Sequence, residues 1–293
     1  MAKIIMVQGT SSGVGKSIFS TALCRIFKQD GYKVAPFKAQ NMSSNFHVLE
    51  NGYKMARSQA ICAYACGLSP RFKMNPILLA PKNNETEVYL NGKYEGVMNG
   101  FKYKDIKMTF FEEVLKSFNE LCLENDIVVI EGAGSPVELN LIKTDLVNMG
   151  FARAVKSPVI LVSDITRGGV FASLYGTVKL IEEQDIHLIK GMIVNKFKGD
   201  VTYFKDGKEI LEKICEKDVL GIIPHFDINI EDEDSLTDEL QIKTKETLMK
   251  KLENDKSEEG YLKYLDVQFD ILADNFRKNL DMEKIYKILE EGV

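Results

Sequence analysis

The chain has 293 residues, 45% of them hydrophobic and 28% charged, a balance that can bury a full core and is too apolar for a disordered polypeptide. A formal net charge of -5 leaves no basic excess to track a phosphate backbone, which argues against nucleic acid as the partner. No run approaches the length of a membrane span, and KIIMVQ at 3–8 lacks the pattern of a signal peptide, so a cytoplasmic protein without a membrane partner is expected.

Short apolar, β-branched runs at 3–8, 33–37, 126–130, 158–163, 191–195 and 219–223 alternate with helical stretches. That alternation predicts an α/β fold with a mostly parallel sheet and helices on both faces. Between the second and third runs, residues 39–107 form an insertion rich in Asn, Tyr, Lys and Gly, too long for a simple crossover. Insertions at the strand C-termini of such sheets build substrate sites. After Pro224 the sequence turns acidic in IEDEDSLTDEL, and residues 243–260 are Lys/Glu-rich, reading as a solvated helix or linker. Apolar spacing returns at Phe269, Leu272, Phe276, Leu280, Ile285, Ile288 and Leu289, which predicts two amphipathic helices docking on the body. The expected division is a domain over 1–236, a charged linker over 237–260 and a helical tail over 261–293. Cys24, Cys62, Cys66, Cys122 and Cys215 are scattered in helix-like or apolar runs, as small buried hydrophobes in a reducing compartment are.

The first run leads into GTSSGVGKS, residues 9–17, and then into the helical pattern IFSTALCRIF. Strand, glycine-rich loop and helix in that order are what a phosphate loop requires. Backbone N–H groups at Gly9, Thr10, Ser11, Ser12, Gly13, Val14 and Gly15 can turn toward one anion, and the helix N-terminus adds its dipole. Lys16 is then expected at the terminal phosphates of ATP and Ser17 at Mg²⁺. Gly9 stands one residue earlier than in the usual G-x-x-x-x-G-K-[ST] spacing, with Thr10 in the expected place.

In DIVVIEGAGS, four apolar residues carry the chain to Glu131, which is read as the second Mg²⁺ contact. Lys38 follows the run VAPF and opens KAQNMSSN. There it can neutralise charge that develops during phosphoryl transfer, or be a solvated loop lysine. Asn195 ends GMIVN, where its amide can pair with a purine edge or simply form a turn. His47, His187 and His225 are isolated and argue for no base or metal ligand.

VAPFKAQNMSSN, MNPILL, IEGAGSPVELNL, DLVNMG, DITRGGVFASLYGT, NKFKGD and EDEDSL resemble, in this order, the cobyric acid synthase family of cobalamin-biosynthesis amidotransferases, over roughly residues 3–236. A shorter likeness, in GTSSGVGKS, Lys38 and IEGAG, extends to dethiobiotin synthetase and implies a P-loop NTPase of that branch. The resemblance implies an ATP-dependent amide ligase that converts adenosylcobyrinic acid a,c-diamide to cobyric acid. A side-chain carboxylate would attack the γ-phosphate, and ammonia would displace the resulting acyl phosphate. Lys16, Lys38 and Glu131 would be the catalytic residues. Gln40, Asn41, Ser135, Glu138, Asn140, Asp164, Arg167, Gly168 and Gly169 would line the substrate side. A homodimer is compatible with it.

Members of that family continue into a glutaminase domain with a nucleophilic Cys in a Gly-rich elbow. None of the five cysteines here lies in such an elbow, and no His follows His225. The closing stretch LDVQFDILADNFRKNLDMEKIYKILEEG still resembles the family's tail, which implies internal loss of that domain and ammonia from a separate glutaminase subunit or from solution. Lys54, Ala80 and Thr166 also depart from the family pattern. Two alternatives stay open: another carboxylate-activating ligase, such as an a,c-diamide synthase or a dethiobiotin synthetase-like enzyme, and a nucleotide-switch ATPase. The latter group resembles KGGVGKT at the loop and carries a signature Lys where this chain has Ser11.

Overall fold

A computed structural model describes residues 2–83, 85–231, 243–252 and 255–293. The part of EDEDSL beyond Glu231, the expected boundary at 236/237 and much of the expected linker lie outside the described residues.

The chain opens with β1 (Lys3–Gly9), α1 (Lys16–Gln29) and β2 (Val34–Phe37). The insertion follows as β3 (Gln40–Met42), β4 (Phe46–Val48), β5 (Lys54–Ala56), α2 (Arg57–Ala65), β6 (Ile77–Lys82), β7 (Glu85–Leu90), β8 (Lys93–Met98) and α3 (Gly100–Ile106). Then come α4 (Phe111–Glu124), β9 (Ile127–Glu131), α5 (Met149–Val155), β10 (Val159–Asp164), α6 (Val170–Leu180), β11 (Ile189–Phe197), α7 (Lys205–Cys215) and β12 (Val219–Pro224). The C-terminal part holds α8 (Lys245–Lys250), α9 (Glu258–Asn279) and α10 (Met282–Glu291).

All six predicted strands join one parallel sheet in the order β12-β11-β10-β1-β9-β2. Because side chains alternate along a strand, a sheet covered on both faces needs apolar residues at every position. β1 meets that need: Ile5 and Val7 face the core under α1, α2, α9 and α10, while Met6 faces the opposite core under α4 and α5. A third cluster packs α6 and α7 on β10 and β11 through Leu161, Met192, Leu174 and Leu211. Cys24, Cys62, Cys66 and Cys215 are buried, and Cys122 is half-buried.

The C-terminal helices are integral to that core. Tyr261, Leu265, Phe269, Leu272 and Phe276 recur at helical spacing on one face of α9 and are buried with Phe19, Leu23 and Ile26 of α1. Each such apolar side chain contributes about 1.5–3 kcal/mol by leaving water. Arg25 of α1 locks the pairing through Asp266 and Asp270, at 2.7 Å each. The helix that positions the phosphate loop is therefore clamped from behind.

The insertion is a second, smaller sheet, β3-β6-β7-β8, with the hairpin β4-β5 beside it. Asn91 and Gly92 both have positive φ, 49° and 80°, the backbone of a tight hairpin turn between β7 and β8. Buried Asn75 ties the insertion to the end of β2: its amide nitrogen donates to the carbonyls of Lys38 and Ile77, and its oxygen accepts from Ala56 N–H.

Candidate active site

The carboxyl ends of β1, β9 and β2 meet where the phosphate loop leaves the sheet, the position at which such sheets bind ligands. Register does the positioning. Val7 pairs with Glu131, and Phe37 with Ile130, so Lys38, the next residue, stands level with Glu131 on the same face. Lys38 Nζ lies 2.6 Å from Glu131 Oε1, and both side chains are buried, 3% and 2% exposed. The hydroxyl of Ser17 donates to the same carboxylate oxygen at 2.8 Å.

The loop itself is shaped by two glycines and one amide. Gly15 has φ +99°, and a Cβ there would lie 2.3 Å from Asn195 Nδ2. A Cβ on Gly9 would lie 2.6 Å from the Val14 side chain. Asn195 Nδ2 donates to the Val14 carbonyl at 2.8 Å, while its Oδ1 accepts from Lys196 N–H. Lys16 Nζ donates to the carbonyls of Ser11 and Gly134 at 2.9 and 3.0 Å. Thr10 and Ser163 share a hydroxyl hydrogen bond of 2.9 Å between loop and β10.

The sequence-derived residues thus fall into two groups. Ser17, Lys38 and Glu131 converge through direct contacts, while Lys16 Nζ reaches the Gly134 carbonyl in the loop that follows Glu131. Asn195 lies under the loop, its amide engaged at both ends by Val14 and Lys196. Asp164 is tied to the loop as well: Lys196 Nζ bridges its carboxylate, at 2.8 Å, and the Gly13 carbonyl, at 2.6 Å. Burial pushes the Asp164 carboxyl up, but Lys196 and the Thr166 donors outweigh that and hold it below the usual carboxylate range. Arg167, Gly168 and Gly169 are exposed in the turn before α6.

On the other flank, Gln40 accepts a short hydrogen bond from the Tyr103 hydroxyl, and buried Asn41 donates to Ser58 at 3.2 Å. Ser135 is buried with its hydroxyl 3.4 Å from Val137 N, whereas Glu138 and Asn140 are exposed on the following loop.

Three contributors were not singled out from sequence. Asn148 holds the loop after Glu131, accepting from Ala133 N–H and donating to the carbonyls of Ala133 and Ser135. Gly132 leaves room for it, since a Cβ there would lie 2.3 Å from Asn148 Oδ1. DLVNMG carried that signal, because Asp145 caps Val147, Asn148 and Gly150. Gln59 of α2 reaches Glu131 Oε2 at 3.3 Å. Arg57, two residues earlier, makes a buried bidentate pair with Glu231 and contacts His47 Nδ1 at 2.8 Å. No sequence pattern marks that pair, because its members are 174 positions apart.

A hydroxyl and a carboxylate are hard donors of the kind Mg²⁺ takes, usually with several waters. Ser17 and Glu131 therefore fit that ion. No helix among the described residues is long and apolar enough to cross a membrane.

Comparisons with known proteins follow the same geometry. The family model of the CobQ/CobB/MinD/ParA nucleotide-binding domain matches residues 5–236. Over 244 residues the chain is 49% identical to a cobyric acid synthase of Caldanaerobacter subterraneus subsp. tengcongensis, covering 83% of this chain and 48% of the relative. It is 50% identical over 249 residues to one of Lachnoclostridium phytofermentans, with the same shares. The chain thus spans about half the length of the curated relatives it matches. Among solved structures, the MinD cell division protein of Aquifex aeolicus superposes with a TM-score of 0.42 at 18% identity, over 77% of this chain and 83% of that one. From the family model and these relatives, the chain belongs to the CobQ/CobB/MinD/ParA nucleotide-binding domain family and is a homologue of cobyric acid synthases.

Proposed function

We propose that this chain is an ATP-dependent amide ligase that activates side-chain carboxylates of a corrinoid, adenosylcobyrinic acid a,c-diamide, on the way to cobyric acid. The observation that carries the reading is buried Glu131 held by Ser17 and Lys38, with Lys16 of the same phosphate loop bonded to the Gly134 carbonyl just beyond it. That set would bind and neutralise polyphosphate, with the Ser17 hydroxyl and the Lys38 ammonium already engaged by Glu131, so the attacking group is assigned to the second substrate. A carboxylate meets the requirement. Its oxygen bonds to the γ-phosphorus as the bond to the ADP oxygen breaks, giving an acyl phosphate and ADP. Ammonia then adds to the acyl carbon, phosphate leaves with the bonding pair, and the nitrogen loses its extra proton.

Within that sequence, loop N–H groups at 9–15 hold the phosphates and Lys16 exchanges its two carbonyl partners for phosphate oxygens. Ser17 and Glu131 would hold Mg²⁺, which shields the polyphosphate charge when bound. Lys38 stands where negative charge grows on the transferred group. Gln40, Asn41, Ser135, Glu138, Asn140 and the 164–169 turn supply the two flanks along which nucleotide and corrinoid would lie. In this reading residues 1–236 are the synthetase domain, 237–260 a linker and 261–293 a tail that braces α1. A separate glutaminase supplies ammonia.

The assay is the purified chain with Mg²⁺, ATP and the diamide, given either glutamine or ammonium. Amide formation with ammonium, and none with glutamine until a glutaminase is added, is the expected result. Glutamine-dependent turnover by this chain alone would refute the separate ammonia source.

A further inference from the structure

Among the described residues, three buried side-chain atoms have no hydrogen-bond partner: Gln8 Oε1, Ser20 Oγ and Gln59 Oε1. Of these three residues, Gln59 is the one whose amide contacts Glu131. It is 1% exposed, and its Nε2 lies 3.3 Å from Glu131 Oε2. The orientation of that amide is fixed by chemistry, since an ionised carboxylate only accepts, so the nitrogen must face it and the oxygen must look elsewhere.

A buried acceptor left unmade is destabilising by about 1–3 kcal/mol, and nothing in the fold of α2 demands it. Leucine would fill a similar volume without an orphaned atom. Gln59 is also held in place. Arg57, on the turn just before it, is locked to Glu231, and the other oxygen of Glu131 is already engaged by Ser17 and Lys38. Gln59 Oε1 is thus open to a donor that arrives with a ligand beside Glu131.

We propose that Gln59 is a positioning residue for the divalent cation, accepting through Oε1 a hydrogen bond from a metal-coordinated water while Nε2 orients Glu131. A small, hard cation keeps several of its waters, and such a water is an O–H donor. Partners of this kind set metal affinity: their loss typically weakens binding by about 10- to 100-fold. The arrangement also makes metal occupancy a report on the insertion, because Gln59 sits on the helix that follows β4 and β5.

The proposal rests on the metal and nucleotide part of the proposed function, not on the identity of the carboxylate. Its test is Mn²⁺ binding, read by electron paramagnetic resonance on the full chain with a non-hydrolysable ATP analogue. Wild type is compared with Gln59→Leu and Gln59→Glu, and thermal unfolding without metal is measured for each. For Gln59→Leu the expected result is Mn²⁺ affinity lowered at least tenfold, with analogue affinity in chelator within twofold of wild type. Gln59→Glu keeps an acceptor oxygen, so it should bind Mn²⁺ within threefold of wild type, while its metal-free form melts lower because two carboxylates then adjoin. Unchanged Mn²⁺ affinity in Gln59→Leu, or equal losses in both variants, would overturn the proposal. Failure of the wild type to bind Mn²⁺ with the analogue would instead overturn the nucleotide and metal reading itself.

Discussion

Lys38 Nζ and Glu131 Oε1 are 2.6 Å apart at the ends of two adjacent parallel strands, both side chains almost fully buried. The register that pairs Phe37 with Ile130 makes that contact a product of the sheet itself. A buried pair of this kind is weak evidence for stability, since desolvation offsets much of its attraction. Its place beside the phosphate loop is what the proposed function uses instead.

In the proposed mechanism, replacing Lys38 by Met removes the cation that would face the transferred phosphoryl group. Turnover should fall by about 10²- to 10³-fold, the scale seen when one transition-state donor is lost. Nucleotide affinity should change little, because Lys16 and the loop N–H groups remain. Steady-state phosphate release, paired with equilibrium binding of an ATP analogue, checks both halves. A normal kcat in Lys38→Met would remove this residue from the mechanism.

Gly15→Ala should abolish nucleotide binding, because the new Cβ would lie 2.3 Å from Asn195 Nδ2 and φ is +99°. Adding Asn195→Ala relieves the collision but not the backbone strain, which alone is worth about 1–3 kcal/mol. The double variant should therefore regain only part of the affinity. Full recovery would mean that the collision alone mattered.

Arg57→Met leaves Glu231 buried with the Tyr261 hydroxyl as its remaining described partner. Losing one member of a buried pair is destabilising by about 3–5 kcal/mol, and chemical denaturation should show a midpoint shift of that size. Arg57→Met with Glu231→Leu should recover most of it, since both desolvated charges then vanish.

His47 Nδ1 accepts from Arg57 at 2.8 Å, and burial, then the charges of Arg57 and Lys245, lower its pKa from the ordinary 6.5. The unfolded chain then binds more protons than the folded one below that value, so stability falls as pH drops from about 6.5 through the folded-state pKa. Thermal unfolding across that window should be less pH-dependent in His47→Gln than in wild type. An identical slope would show that other groups set the acid limb.

How much of this was legible beforehand follows from which signals are local. The six strands announced themselves as continuous apolar runs because a parallel sheet is buried on both faces. Lys16 and Ser17 lie in one contiguous loop, and Lys38 and Glu131 each follow a strand, so periodicity and position sufficed. Sheet order did not follow from periodicity, since nothing in DIVVIE says that it inserts between β1 and β2. Gln59 was hidden in RSQAICAYACG, where small and apolar residues read as a packing helix. Asn195 stood out as a strand end, yet its contact with Val14 spans 181 positions and depends on tertiary folding. The insertion's second sheet was also missed, although the Asn91–Gly92 dipeptide carried the turn signal.

The central claim is that a carboxylate oxygen of the corrinoid, not water, takes the γ-phosphoryl group. The direct measurement uses the diamide with ¹⁸O in its free carboxylates, together with ATP, Mg²⁺ and ammonium, and follows the label by mass spectrometry of the released phosphate. The account predicts one ¹⁸O transferred to phosphate for each amide formed. Unlabelled phosphate accompanying amide formation, or ATP hydrolysis indifferent to the carboxylate, would contradict it.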